Sequence, residues 1–190
     1  MTRLKIGASI VITLLILTIP DSSNLYFTPA TVYAVPSANL EIVRVENTIS
    51  KQELHCLVLN TYHEARGESE AGQIAVMQVV LNRLHSNKFP DSICDIVTQG
   101  PTRVNYKGKT IPIQNKCQFK WFCDGRKDDA IDTKKYFQIQ RLAIEVIKNN
   151  VIDITNESMY YHTTQSTPYW AHVFMKTVRI DNHIFYREKT

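Results

Sequence analysis

The chain has 190 residues, 44% of them hydrophobic, with 22 basic and 18 acidic side chains and a formal net charge of +4. That composition excludes an intrinsically disordered chain and leaves room for one export segment and one globular domain with its own core. A basic excess this small, scattered along the chain, suits an anionic polymer and gives no argument for nucleic acid, which is not expected as a partner.

Residues 1–34 predict a targeting segment. Arg3 and Lys5 form a positive start, residues 6–19 are apolar except for Gly, Ser and Thr, and Pro20 ends the run. Val32-Tyr33-Ala34 supplies the small-residue pattern that a signal peptidase accepts. The run is shorter than the ~20 residues that span a bilayer, so cleavage near Ala34 is expected. The distance from the run to Ala34 keeps an uncleaved N-terminal anchor open, and membrane association is expected only in that case. Either way the domain lies outside the cytoplasm. Cys56, Cys94, Cys117 and Cys123 fit an oxidising compartment as two disulfides. Four cysteines permit three pairings, of which we favour Cys117–Cys123 with Cys56–Cys94. Their spacing matches no zinc site, so no metal is expected.

Residues 35–48 read as a polar tether, and the domain proper is expected over 49–190. Ser50 and Glu53 form a capping box, and Leu54, Leu57, Val58 and Tyr62 predict a helix over 51–64. Gly67 breaks the chain. A second helix starts at Ser69 or Glu70 and carries Ile74, Met77, Val80, Leu81 and Leu84, widened by Ala75, Val76 and Val79. An apolar surface this broad belongs at a domain centre. Asn87 and Pro90 end it, and Asp91 caps a short helix bearing Ile93, Ile96 and Val97. Residues 104–111 predict a small hairpin around Lys107-Gly108. Asp132 caps a third long helix reaching Asn149, with Phe137, Leu142, Val146 and Ile147 among its apolar positions. Short extended pieces follow, with a turn at Asp181-Asn182. The fold class is α+β, mostly helical, with a small β-hairpin element.

The chemically informative stretch is Tyr62-His63-Glu64-Ala65-Arg66-Gly67-Glu68. Glu64 falls at the C-terminal end of the first helix, where the helix dipole and apolar neighbours both disfavour its carboxylate. A raised pKa suits a proton donor near neutrality. Arg66 acts the other way if its side chain points at Glu64. The plain alternative is that Glu64 and Glu68 solvate a helix end. His63-Glu64 begins like a zinc-protease pair, but the residue four beyond His63 is Gly67, so the second histidine is missing.

Five fragments in order resemble the cell-wall hydrolase family typified by the catalytic domain of the spore cortex-lytic enzymes. They are residues 62–68, 72–83 and 89–91, then Cys117-Gln118-Phe119-Lys120-Trp121-Phe122-Cys123-Asp124-Gly125, and finally residues 159–162 with 181–187. The resemblance implies a lysozyme-like fold. It also implies cleavage of peptidoglycan glycan strands between N-acetylmuramic acid and N-acetylglucosamine, with one essential glutamate that maps onto Glu64. Localisation would then be the periplasm, the cell wall or the extracellular space. The separate peptidoglycan-binding domain of the spore enzymes is not expected within these residues. A glycosidase that activates water needs two carboxyl groups, and Glu68 leads for that role, ahead of Asp95 and Asp124. A lytic transglycosylase, which the resemblance implies and we favour over a muramidase, needs only one, because the muramic acid 6-hydroxyl attacks internally to leave a 1,6-anhydro end.

Gln118, Phe119 and Trp121 form one candidate sugar-binding cluster, and Tyr160, Tyr161 and His162 another. Strand alternation allows only one of Tyr160 and Tyr161 to face a groove, and core packing is the competing reading for Phe119. Trp170, His172 and Phe174 are read as core. No cofactor is expected, the partner is the peptidoglycan strand itself, and the chain is expected to act as a monomer. Two other classes stay open. One is a module that binds glycan without cutting it. The other is a thiol amidase or peptidase pairing a cysteine with His63, His162 or His172.

Overall fold

The computed structural model describes residues 49–189; the expected targeting segment and tether lie outside them. Helix α1 spans Lys51–Ala65, α2 Glu70–Leu84, α3 Ile93–Val97 and α4 Thr133–Ile147. Strands β1 (Thr102–Val104) and β2 (Thr110–Pro112) pair antiparallel as an exposed hairpin. Strands β3 (Tyr160–Thr163), β4 (Met175–Ile180) and β5 (His183–Arg187) form an antiparallel sheet in the order β3-β5-β4. Single 3-10 turns occupy Lys120–Cys123 and Tyr169–His172. No helix among the described residues is long and apolar enough to cross a membrane.

Each helix starts on a side-chain cap that satisfies an otherwise orphaned backbone N–H. Ser50 Oγ accepts from Glu53, Ser69 Oγ from Gly72, Ser92 Oγ from Asp95 and Asp132 Oδ1 from Lys135. Two details differ from expectation. The cap of α3 is Ser92, not Asp91. The Glu53 carboxylate does not return to Ser50; Oε2 accepts the Ile93 N–H at 2.6 Å. It satisfies a free donor at the start of α3, and so ties α1 to α3. The Cys56–Cys94 disulfide makes the same connection covalently.

Helix α2 is the centre of the domain. One side packs Met77 and Val80 against Leu57, Val58 and Tyr62 of α1, Ile93, Ile96 and Val97 of α3, and Ile139, Ala143 and Val146 of α4. Its other side sets Ala75 and Val79 against Phe185 of β5. Two packed sides account for a helix that is apolar almost all round. Each large apolar side chain so buried contributes roughly 1.5–3 kcal/mol. Phe137, by contrast, is 59% exposed and takes no part in the α4 core stripe.

The C-terminal pieces make more β structure than their sequence announces. Tyr161 lies opposite Phe185 and Thr163 opposite His183, on the side that faces α2. Tyr160 and His162, with Tyr186, face the other way. The turn between β4 and β5 places Asp181 at φ 48°. Trp170 and Phe174 are not core residues. They are half-buried and ring-stack on the outer sheet face with Tyr160, His162 and Tyr186, while His172 is exposed. The Tyr169–His172 turn covers that face, and beneath it His162 and Tyr186 are buried while Tyr160, Trp170 and Phe174 stay half-buried.

Candidate active site

Glu64 lies in the last turn of α1, half-buried. The Tyr161 hydroxyl reaches it from β3 and donates to Oε2 at 3.2 Å. Burial pushes the Glu64 carboxyl above its ordinary pKa, opposed by the Tyr161 hydrogen bond and then by the charges of Lys120 and Arg83. Burial, reinforced by the Glu64 charge, holds the Tyr161 phenol well above its own ordinary value. It therefore stays a donor across the physiological range. Arg66 has no share in this: it turns back over the Tyr62 ring and donates to the Tyr62 carbonyl.

Arg83 is the residue that sequence reading missed. It is 2% exposed, and its Nε donates to the Met159 carbonyl at 2.7 Å. The guanidinium lies 5.0 Å from the Phe89 ring centre, 5.3 Å from Phe119 and 5.9 Å from Tyr160. Burial lowers its pKa to about 10, which still leaves a cation at neutral pH. Its NH1 has no partner among the described residues. In the sequence it was only the last residue of the fragment 72–83, one of several polar positions on α2.

Trp121 is held to the same end of α1. Its Nε1 donates to Asn60 Oδ1 at 2.9 Å, and its ring stacks on His63 at 4.8 Å and 11°. His63 Nε2 donates to the Asp128 carbonyl at 2.8 Å, which fixes the imidazole as a support for the indole. Asn60 stands one helical turn before Glu64, on the same face. The Cys117–Cys123 disulfide closes the loop that carries Trp121 and Lys120. All four cysteines are bonded, so a thiol amidase or peptidase has no nucleophile here.

The other expected site residues make no hydrogen bond to Glu64. Glu68 is occupied by Asn182, whose backbone N–H and Nδ2 donate to its carboxylate at 3.2–3.4 Å. Beside it Asp181 Oδ2 accepts from Ser69 N and Oγ. A side chain on Gly72 would meet that Asp181 oxygen at 2.5 Å, so the brace needs glycine there. Gly67, by contrast, has open space and no left-handed φ, so the bend after α1 does not depend on it. Asp95 accepts from Ser92 Oγ and Asp124 from the Arg126 N–H. Phe119 is 3% exposed in the core beneath Arg83, too buried to touch a sugar. Tyr160 stacks on Phe174 at 4.1 Å and donates to Glu188. His162 is buried, donating from Nδ1 to the Thr163 carbonyl and accepting from Tyr186. Gln118 is exposed on the stapled loop.

The profile of the cell wall hydrolase family matches residues 67–186. The chain belongs to that family. The match begins three residues after Glu64, so Glu64 enters the site on its geometry. Among curated relatives of this cell wall hydrolase, the spore cortex-lytic enzyme of Bacillus subtilis is 30% identical over 141 residues. That alignment covers 72% of this chain and 38% of the relative. The spore cortex-lytic enzyme of Oceanobacillus iheyensis is 40% identical over 55 residues, 29% of this chain and 20% of the relative. The chain thus spans well under half the length of either. Its α+β fold is shared with the catalytic domain of the germination-specific lytic transglycosylase SleB from Bacillus anthracis. The TM-score is 0.55 at 24% identity, over 75% of this chain and 100% of that one. The SleB catalytic domain of Bacillus cereus gives 0.53 at 24% identity, over 74% and 94%.

Proposed function

We propose that this domain cleaves peptidoglycan glycan strands between N-acetylmuramic acid and N-acetylglucosamine as a lytic transglycosylase, outside the cytoplasm, with Glu64 as both acid and base. The carrying observation is the half-buried Glu64 carboxyl at the end of α1, which accepts from the Tyr161 hydroxyl and whose pKa burial raises against the charges of Lys120 and Arg83. In the first step the Glu64 carboxylic acid gives its proton to the glycosidic oxygen as the bond to the muramic acid C1 breaks. The 6-hydroxyl of the same sugar then attacks C1, and its proton passes to the Glu64 carboxylate. The product is a 1,6-anhydro end, Glu64 is again protonated, and no water is consumed. Lys120, Arg83 and the Tyr161 hydroxyl favour the carboxylate between the two steps, offsetting its desolvation. Trp121, held by Asn60 one turn before Glu64 on α1, offers an aromatic side chain for a neighbouring sugar. The engagement of Glu68 by Asn182 speaks against a water-activating partner.

Mass spectrometry of fragments released from purified peptidoglycan tests the reading, since anhydro and hydrated ends differ by one water. Anhydro ends are expected; hydrated ends would replace the transglycosylase with a muramidase. Intact strands would leave only a glycan-binding module.

A further inference from the structure

Positive charge that looks scattered in composition is concentrated in one place. Residues 96–123 hold five cations, Arg103, Lys107, Lys109, Lys116 and Lys120, and no acid, while the whole chain nets +4. All five are exposed, and among the described residues none has an ion-pair partner. Three of them ride on the β1–β2 hairpin. Its turn is fixed by Asn105 Oδ1, which accepts from the Lys107 and Lys109 N–H groups, and by Gly108 at φ 73°.

The hairpin is bolted to the loop that serves the candidate active site. The Ile113 N–H donates to the Pro101 carbonyl, Gln118 to Gln99 and Asn115 to Cys123, all at 2.8–2.9 Å. The hairpin cations are therefore carried on backbone tied directly to the loop of Lys120, whose charge acts on Glu64. Beside them Tyr106 is 92% and Val104 68% exposed. The hairpin thus exposes basic and apolar side chains together.

We propose that this hairpin docks the peptide stems of the glycan strand being cut, pairing Arg103, Lys107 and Lys109 with the stem carboxylates. This rests on the function proposed above. Peptidoglycan carries its acidic, alanine-containing stems on the muramic acid residues. A strand laid across Glu64 thus delivers carboxylates and methyl groups along its own length. A phosphodiester polymer would match the charge but leave Tyr106 and Val104 without an apolar partner. Exposed cations at the rim of a binding surface act through binding and salt dependence more than through the chemical step.

The test reads retention of the full chain carrying Glu64→Gln on insoluble cell wall, so that binding is measured without cleavage. Fragment release by the parent chain reports the catalytic reading separately. Arg103→Gln/Lys107→Gln/Lys109→Gln, which removes no buried side chain, is expected to bind wall about tenfold more weakly at low salt. The difference should vanish near 1 M salt. Converting stem carboxylates to amides with a carbodiimide and an amine should weaken the parent to the level of the triple variant. Stripping phosphodiester polymers with hydrofluoric acid should change nothing. Undiminished binding by the triple variant would overturn the proposal. So would a loss that follows phosphodiester removal, which would assign the hairpin to that polymer.

Discussion

The Tyr161 hydroxyl and the Glu64 carboxylate, 97 residues apart in the chain, meet at 3.2 Å across the junction of β3 and α1. This bond lowers the Glu64 pKa against the larger effect of burial. Tyr161→Phe removes it and lets the Glu64 pKa climb further. The alkaline limb of the pH–rate profile should move to higher pH, because Glu64 must be protonated to start the reaction. The rate at the optimum should fall about tenfold, the usual worth of a hydrogen bond to a charged group. A profile that stays in place would show that Tyr161 only packs.

Glu64→Gln keeps the shape and removes the proton. Release of glycan fragments should drop by about 10²–10⁴-fold. Stability carries a separate sign. A carboxyl whose folded pKa lies above its unfolded value binds protons more tightly when folded. Its contribution is therefore present at low pH and lost as pH rises from the unfolded value through the folded one. At pH values above the unfolded pKa the raised folded value costs stability, so Glu64→Gln should melt at or above the parent temperature by calorimetry. A lower melting temperature would mean that Glu64 is a structural residue.

Glu68→Gln tests the mechanism from the other side. The Glu68 carboxylate holds the β4–β5 turn through Asn182. Its loss should lower the melting temperature by a few degrees, in line with about 1 kcal/mol for hydrogen bonds removed. Cleavage at a temperature where both proteins are folded should stay within about threefold, a factor worth well under 1 kcal/mol. A hundredfold loss of kcat would make Glu68 the second carboxylate of a hydrolase.

Trp121→Leu removes the indole that Asn60 and His63 hold beside Glu64. If that face carries a sugar, KM for wall fragments should rise roughly tenfold with kcat nearly unchanged. Equal losses in kcat and KM effects absent altogether would place the indole with the catalytic geometry instead.

The two disulfides should separate stability from site geometry. Loop-closure entropy assigns about 4 kcal/mol to Cys56–Cys94, which spans 38 residues, and about 2 kcal/mol to Cys117–Cys123, which spans 6. Cys56→Ser/Cys94→Ser should therefore unfold at much lower denaturant than Cys117→Ser/Cys123→Ser. The second pair should show the larger rise in KM, because it releases the loop of Lys120 and Trp121.

Local signals in the sequence determined a great deal. Caps at Ser50, Ser69 and Asp132, and apolar spacing on α1, α2 and α4, concern residues within a few positions of one another. Hydrogen-bond and packing rules act directly at that range. The motif around Glu64 and the position of that residue at a helix end were legible for the same reason. The three-stranded sheet was not, because β3 pairs with β5 rather than with its sequence neighbour, and no local pattern encodes a partner.

Tertiary structure alone decided which polar groups of the site face one another. Burial separates residues that look alike in sequence. Tyr161 turns to Glu64 while Tyr160 turns to Phe174, and Trp121 stays at the surface of the loop whose Phe119 is sealed beneath Arg83. Arg83 itself read as one of several polar positions on α2 until the chain around β3 closed over it. Its lowered pKa, and the raised pKa of Glu64, come from desolvation, which depends on everything packed around a group and not on its neighbours in the chain.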